Sequence, residues 1–345
     1  MNSVRVERLY KIFGPQPAEK VRRLEQGADP ADLAAEGATA AVVDASFTVA
    51  EGETFVVMGL SGSGKSTLIR MLNGLLTPTS GQVFVDDTDI TAMSPRDLRA
   101  VRQQKMSMVF QHFALFPHRT VLDNAGYGLK VRGASEGEIA ERAREALSMV
   151  GLDGWEQRYP AQLSGGMRQR VGLARALATH TDVLLMDEAF SALDPLIKRE
   201  MQDQLLDLNA QLAKTIIFIT HDLNEAMRLG DRIAVMRAGR IVQIGDSEQI
   251  LREPADDYVA RFVQDVDRSR VLTAATIADP SAAPADGAAP VPASTPLKDL
   301  FALMSVRAEA LPVVDERQQV LGAVTPRAVF AALSHRAETE ETSDA

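Results

Sequence analysis

Residues 59–67 have the composition and spacing expected of a polyphosphate-binding loop: Gly59, Leu60, Ser61, Gly62, Ser63, Gly64, Lys65, Ser66 and Thr67. A strand-like apolar run (54–58) precedes this segment and a helix-like run (68–72) follows it. Glycines let the backbone curl so that its N–H groups point at an anion, and the helix start adds a partial positive charge. The pattern therefore predicts a P-loop, in which Lys65 bridges the β- and γ-phosphates of a nucleotide and Ser66 holds Mg²⁺.

A pair of carboxylates follows a second apolar run. Residues 183–186 are fully apolar and lead directly into Asp187 and Glu188. An acidic pair at a strand end is more often a helix cap or a charge cluster. In a chain that also has a P-loop upstream, such a pair is expected to have two roles. Asp187 is the Mg²⁺-binding carboxylate, and Glu188 is the general base for the attacking water.

Three further side chains stand where strands are predicted to end. His221 is able to donate a hydrogen bond to a γ-phosphate, although a lone histidine at such a place is usually a polar end-cap. Gln111 is able to bind Mg²⁺ or the attacking water. Phe13 is either a core residue or an aromatic face on which adenine stacks.

Residues 163–166 form a second glycine turn at a helix start. Ser164, Gly165 and Gly166 therefore predict a second anion site, which contains no lysine and is far from the first in sequence. A head-to-tail dimer accounts for both sites, because the turn of one copy would then close over the phosphates held by Lys65 of the other.

Composition restricts the class of protein. The chain has 345 residues, enough for two domains, and its 37 basic against 47 acidic residues give a net charge of -10. Such a charge does not favour nucleic acid as a partner. The absence of cysteine rules out disulfides, thiol nucleophiles and cysteine-bound zinc. No signal sequence and no membrane-spanning run is found, so we expect a cytoplasmic chain that reaches a membrane only through a partner or a surface.

The elements that must position these residues alternate between strands and helices. Strands are predicted over 4–13, 42–50, 54–58, 106–110, 183–186 and 215–220, and a hairpin over 232–244. Helices are predicted over 121–131, 135–150, 167–178 and 196–212, with one or two short surface helices within 18–37. This order indicates an α/β fold with a largely parallel sheet.

The motifs in this order resemble the nucleotide-binding subunits of ABC transporters, over residues 4–262. The segment 163–170 matches the ABC signature, with Met167 where many members have glutamine, and the segment ending at Asp194 matches the D-loop, which contacts a partner subunit. Phe13 falls on the adenine-stacking position, Gln111 on the Q-loop and His221 on the switch histidine. The resemblance implies an ABC cassette with a RecA-like core sheet, an antiparallel β subdomain and a helical subdomain. Its implied cofactors are ATP and Mg²⁺.

A narrower resemblance is to the ATPase subunits of glycine betaine/proline betaine importers. It depends on three features: the insertion at 18–37, the sequence of the P-loop segment 58–67, and the segment 167–170. It implies two copies that sandwich two ATP molecules, transmembrane permease subunits reached through residues 113–117, and indirectly a periplasmic or lipid-anchored solute receptor. The implied location is the cytoplasmic face of the inner (plasma) membrane.

The organisation expected is an ATP-binding domain at 1–265, with a helical subdomain at about 112–165. An Ala/Pro-rich linker or degenerate CBS start follows at 266–296, then one CBS-like motif at 297–334 and an acidic, disordered tail at 335–345. The CBS-like motif has Ala328 where a ribose-binding aspartate is usual. We therefore expect a structural or dimerising role for it rather than nucleotide binding, with an inert remnant as the alternative.

Three other functions remain open from the sequence. One is an ABC importer ATPase for a different small solute, such as an amino acid. A second is a soluble ABC ATPase that acts on ribosomes or DNA, although such proteins usually have two cassettes or long coiled-coil arms. The third is a non-catalytic regulator, which the intact Lys65, Asp187 and Glu188 argue against.

Overall fold

The computed structural model describes residues 2–111, 113–285, 287–306 and 309–333. The chain divides into two compact units, of which the first ends at Asp246 and the second begins at Ser247. This division precedes the boundary expected near residue 265, because the helices that follow Asp246 belong to the second unit. The acidic tail expected at 335–345 lies outside the described residues.

The strands of the first unit form two sheets. In chain order they are β1 (Asn2–Phe13), β2 (Thr39–Ala50), β3 (Thr54–Met58), β4 (Ser80–Val85), β5 (Thr88–Asp89), β6 (Met106–Val109), β7 (Val183–Asp187), β8 (Thr215–Thr220), β9 (Arg232–Arg237) and β10 (Arg240–Gly245). One sheet has the order β2-β1-β4-β5 and is antiparallel. The other has the order β10-β9-β3-β8-β7-β6 and is parallel except for the β9–β10 hairpin.

Helices connect these strands. They are α1 (Pro17–Glu25), α2 (Pro30–Ala35), α3 (Lys65–Leu72), α4 (Pro95–Lys105), α5 (Val121–Ala125), α6 (Tyr127–Arg132), α7 (Glu136–Met149), α8 (Gly165–Leu177), α9 (Pro195–Leu212) and α10 (Leu223–Leu229). The helix predicted over 121–131 is divided at Gly126, where α5 ends and α6 begins. Glycine lowers helix stability at such a position, which explains the break.

The core of the first unit lies between the two sheets and α3. Strands β3 and β8 are buried along their whole length, as expected for central strands of a parallel sheet covered on both faces. Phe47 of β2 stacks on Phe55 of β3, with ring centroids 4.9 Å apart. Helices α5, α7 and α8 pack on one another. The predicted α/β class is confirmed, with an antiparallel sheet beside a mainly parallel one.

The second unit begins with α11 (Ser247–Arg252) and α12 (Asp257–Phe262) and continues with α13 (Arg268–Val271), α14 (Ala274–Ile277), β11 (Val291–Pro292), α15 (Leu297–Val306), β12 (Leu311–Val314), β13 (Val320–Val324) and α16 (Pro326–Leu333). The Ala/Pro-rich stretch, expected to be a linker or a degenerate CBS start, is hydrogen-bonded into this unit. Strand β11 pairs in parallel with β12, and Asp279 pairs with Ala323 of β13. These pairings join residues distant in sequence, so local composition alone does not indicate them.

Within the described residues, no helix has both the length and the apolar character required to cross a bilayer.

Candidate functional site

The carboxyl ends of four parallel strands bring the predicted residues to one edge of the larger sheet. The P-loop follows β3, Asp187 ends β7, His221 follows β8, and Gln111 lies two residues after β6. In open α/β sheets, ligands bind in the crevice outside these strand ends. The topology therefore gathers side chains that are more than 150 residues apart in sequence.

The P-loop packs closely against the backbone of a neighbouring segment. Gly64 has a φ of 102°, and a Cβ added there would lie 2.0 Å from the carbonyl oxygen of Ala41. Only glycine fits both that conformation and that distance. Ser63 Oγ is buried and has no hydrogen-bond partner among the residues that the structure describes. A buried donor in this position fits a loop shaped to bind an anion.

Lys65 and Asp187 are both buried beneath this loop. The Lys65 ammonium donates to the carbonyl oxygens of Gly59 at 2.8 Å and Leu60 at 3.0 Å. Burial lowers the pKa of Lys65, although the nearby carboxylates of Glu188 and Asp187 oppose this. Burial likewise raises the pKa of Asp187, although a hydrogen bond from Ser66 opposes this. Both groups are thus costly to keep charged unless a ligand of opposite charge binds them.

Ser66 Oγ donates to Asp187 Oδ1 at 2.9 Å. The two oxygens come from the start of α3 and the end of β7, as predicted for a Mg²⁺ site. Hydroxyl and carboxylate oxygens are ligands that Mg²⁺ prefers, and Mg²⁺ usually keeps several waters or substrate oxygens as its other ligands. The donor set therefore fits this cation.

Two of the predicted side chains contact the same carboxylate oxygen of Glu188. Gln111 Nε2 donates to Glu188 Oε2 at 3.2 Å, and His221 Nδ1 lies 3.1 Å from the same oxygen. Glu188 itself has a positive φ of 46°, which is sparsely populated for a residue with a side chain. Backbone strain of this kind persists only where the surroundings hold it and is concentrated at functional sites.

Several of the predicted site residues line one cavity of about 560 Å³. Its volume lies within the range typical of small-molecule sites. The lining includes P-loop residues, Gln111 and Glu188. It also includes Ala238 and a run of small residues from α2 to the start of β2; these are Pro30, Ala31, Ala34, Ala38, Thr39, Ala40 and Ala41.

The second glycine turn lies apart from that cavity. Ser164 is the N-cap of α8, and its side chain accepts from the Met167 backbone N–H. Ser164 and Gly166 line a separate depression of about 150 Å³ together with Trp155 and Ile197. Gly165 begins α8 between them, and Asp194 caps α9 by accepting from the N–H groups of Leu196 and Ile197. None of these residues lines the P-loop cavity.

Phe13 lies at the end of β1 and is 44% exposed. It pairs with Thr39, which lines the cavity, and Lys11 Nζ lies 5.2 Å from the ring centroid. The alternative that Phe13 is a core residue is wrong, because the ring is exposed. Its stacking on adenine stays a prediction.

Sequence reasoning missed a charged cluster behind His221. Lys198 Nζ lies 2.7 Å from Asp222 Oδ2 and 2.9 Å from Glu225 Oε1, and the Thr220 hydroxyl donates to the same Glu225 carboxylate. The cluster ties α9, which begins at Asp194, to the segment that carries His221. Only the three-residue spacing of Asp222 and Glu225 beside His221 could have indicated it.

Arg175 of α8 is a second missed residue. Its guanidinium donates to the carbonyl oxygens of Phe113 at 2.9 Å and Ala114 at 2.6 Å. Burial lowers the pKa of Arg175. The helix that begins at the second glycine turn thus holds the segment that follows Gln111.

Comparisons with known proteins agree with this geometry. Residues 42–191 match the ABC transporter family and residues 284–335 the CBS domain. The chain is 53% identical to the glycine betaine transport ATP-binding protein OpuAA of Bacillus subtilis, over 93% of this chain and 76% of that protein. It is 54% identical to the glycine betaine/proline betaine transport system ATP-binding protein ProV of Escherichia coli, over 79% of this chain and 68% of that protein.

The fold is also similar to a solved structure. The ATP-binding cassette MJ0796, solved as a dimer in a post-hydrolysis state bound to ADP and Pi, superposes with a TM-score of 0.60 at 32% identity. The match covers 71% of this chain and 98% of that one. The identity and coverage of the two transport proteins are high enough to assign a family. This chain belongs to the ATP-binding proteins of the ABC transporter family.

Proposed function

We propose that this protein is the ATP-hydrolysing subunit of a membrane importer for glycine betaine- or proline betaine-type osmoprotectants. One observation supports the ATPase activity above all: the P-loop, Gln111 and Glu188 line a single cavity at the edge of the parallel sheet. The class of solute is supported by the similarity to OpuAA and ProV.

The side chains divide the chemistry between them. Lys65 and the P-loop N–H groups bind the triphosphate. Ser66, Asp187 and Gln111 hold Mg²⁺, which neutralises charge on the phosphate oxygens when it is bound. Glu188 orients and deprotonates the attacking water, since Gln111 and His221 both contact one oxygen of its carboxylate and fix its position. His221 also donates to the γ-phosphate.

Dimerisation completes the site. Ser164, Gly165 and Gly166 lie outside the P-loop cavity of their own chain, so they serve the nucleotide of a second copy. Asp194 faces that copy from the start of α9. Closure of the dimer drives permease subunits through the segment near Phe113, which Arg175 holds in place. The protein works at the cytoplasmic face of the inner (plasma) membrane, and the solute receptor acts on it only indirectly.

Reconstituted transport tests this function. The chain is co-expressed with a betaine-type permease and receptor, and the complex is placed in vesicles that contain ATP and Mg²⁺. We expect accumulation of radiolabelled glycine betaine, competed by proline betaine and not by methionine or glutamine. Lys65→Ala should abolish this accumulation because it removes the ammonium that binds the phosphates.

Two outcomes would contradict the proposal in different ways. ATP-dependent uptake that methionine or glutamine competes would identify an amino acid importer and reject the solute class. Recovery of the active ATPase only with ribosomes or DNA, and never with a permease, would reject the transport function itself.

A further inference from the structure

We propose that the insertion formed by α1 and α2 is part of the nucleotide site, where α2 forms the wall that contacts the nucleoside end of ATP. This inference depends on the proposed function, because it assumes that the triphosphate binds at the P-loop. It assigns a binding role to Pro30, Ala31 and Ala34.

The position of α2 in the cavity is the first argument. The same cavity is lined by Glu188 and Gln111, by P-loop residues, and by α2 with the segment 38–41. A triphosphate bound at Lys65 and Ser66 places its γ-phosphate toward Glu188. The nucleoside must then contact the remaining lining, to which α2 belongs.

The chemistry of this wall is the second argument. The side chains that face the cavity from α2 and from 38–41 are alanine, proline and one threonine. Small apolar side chains form a smooth surface with few polar groups, which suits the flat, apolar face of a nucleobase. Ala31 and Ala34 are three residues apart and share one face of α2, while Leu33 on another face is fully buried.

The insertion is held firmly enough to serve as a wall. Leu33 packs in a cluster with Val21 and Leu24 of α1 and with Tyr10 and Ile12 of β1. Such a cluster fixes both short helices on the antiparallel sheet, which neither helix could do alone, since isolated helices of this length are not stable in water.

Polar contacts fix the insertion at its ends. Lys20 is almost fully buried, donates to the carbonyl oxygen of Pro15 at 3.1 Å and lies 3.6 Å from the Glu36 carboxylate. The residues that flank α1 and α2 lie close together: a Cβ added at Gly14 would lie 2.7 Å from the carbonyl oxygen of Gly37. These contacts attach both ends of the insertion to the β1–β2 pair and hold α2 beside the cavity.

The test compares two exposed positions on α2. Ala34 lines the cavity, whereas its neighbour Ala35 is exposed and outside the cavity lining. Ala34→Glu and Ala35→Glu add the same charge at adjacent positions of α2. The full-length variants are titrated with ATP and, separately, with inorganic tripolyphosphate, both without Mg²⁺ so that no turnover occurs.

We expect Ala34→Glu to raise the Kd for ATP about tenfold, because a carboxylate in the wall must lose water when the base binds. Its Kd for tripolyphosphate should stay within about twofold of the wild-type value, since that ligand has no base. Ala35→Glu should leave both constants unchanged. If thermal unfolding shows that Ala34→Glu does not fold, Ala31→Gln provides the same comparison.

Two results would overturn the inference. One is wild-type ATP affinity in Ala34→Glu, and the other is an equal loss of affinity for ATP and tripolyphosphate. Failure of the proposed function is distinguishable, because Lys65→Ala would then bind both ligands as tightly as the wild type does.

Discussion

Glu188→Gln is expected to lower the steady-state ATPase rate about a thousandfold, while ATP binding is retained. A positioned general base typically contributes 10²–10⁴ in rate, and an amide is unable to accept the proton of the attacking water. The substitution is nearly isosteric. Its carbonyl oxygen is able to accept the hydrogen bond that Gln111 donates to Glu188 Oε2 at 3.2 Å, so the local geometry should persist.

Phosphate release and ATP binding are the two measurements that separate these effects. Phosphate release is followed at saturating ATP, and the Kd for ATP is measured by equilibrium dialysis at low temperature. Because ATP is bound but not hydrolysed, size-exclusion chromatography with ATP and Mg²⁺ should show a dimer that the wild type does not accumulate. This last readout depends on hydrolysis as the step that reopens the dimer.

A matched control uses a carboxylate away from the site. Glu51 is exposed in the turn that precedes β3, and Glu51→Gln should hydrolyse ATP at the wild-type rate. Normal turnover by Glu188→Gln would remove Glu188 from the role of general base. Loss of ATP binding together with turnover would instead show that Glu188 contributes to binding.

The gathering of the P-loop, Asp187 and His221 at one sheet edge could be predicted from the sequence for a physical reason. A P-loop needs glycines at fixed positions, a lysine and a hydroxyl, and all of these lie within one short run of consecutive residues. Asp187 and His221 are likewise found because each lies where a recognisable apolar strand ends. In a parallel sheet those ends meet at one edge, so their proximity follows from topology alone.

The α2 wall of the cavity escapes such prediction. The residues of α2 that line the cavity are alanine and proline, which have no distinctive chemistry, and the sequence indicated only short surface helices there. Their place in the cavity depends on how Leu33 is buried against the sheet, and that is a tertiary contact.

The C-terminal unit illustrates the same limit. Ala- and Pro-rich composition is typical of linkers, yet residues in 273–296 are fixed by hydrogen bonds to distant strands. One of them joins the Ala293 N–H to the carbonyl oxygen of Val314 at 2.8 Å. Local composition therefore underestimates order wherever the partners are supplied from elsewhere in the chain.

The cluster of Lys198, Asp222 and Glu225 is the second place where one substitution should have a large effect. The Glu225 side chain is 3% exposed, and Gln202 and Thr220 also donate to its carboxylate. Burial opposes the charge on Lys198, but hydrogen bonds to Asp222 and Glu225 outweigh it and raise the pKa of Lys198. At Asp222, burial alone would raise the pKa, but the hydrogen bond from Lys198 outweighs it, so the pKa is lowered.

Lys198→Met is expected to lower the free energy of unfolding by about 3 kcal/mol at neutral pH. Removal of one member of a buried ion pair leaves the other charge without compensation, which typically costs about 3–5 kcal/mol, and partial exposure of Asp222 places this case at the low end. Urea unfolding of the wild type and the variant measures the difference. Arg199→Met, at the exposed neighbouring position, should change stability by less than about 0.5 kcal/mol.

The pH dependence gives a sharper test of the same cluster. The folded pKa of Asp222 is lowered, so its stabilising contribution is present above its unfolded pKa and is lost as the pH falls through the folded value. The folded pKa of Lys198 is raised, so its contribution is lost only in strong alkali. The stability difference between the wild type and Lys198→Met should therefore be constant between about pH 5 and pH 9 and shrink below about pH 4. A difference that stays constant into acid would mean that the stability lost in Lys198→Met does not come from the charge pairing of Lys198 with Asp222.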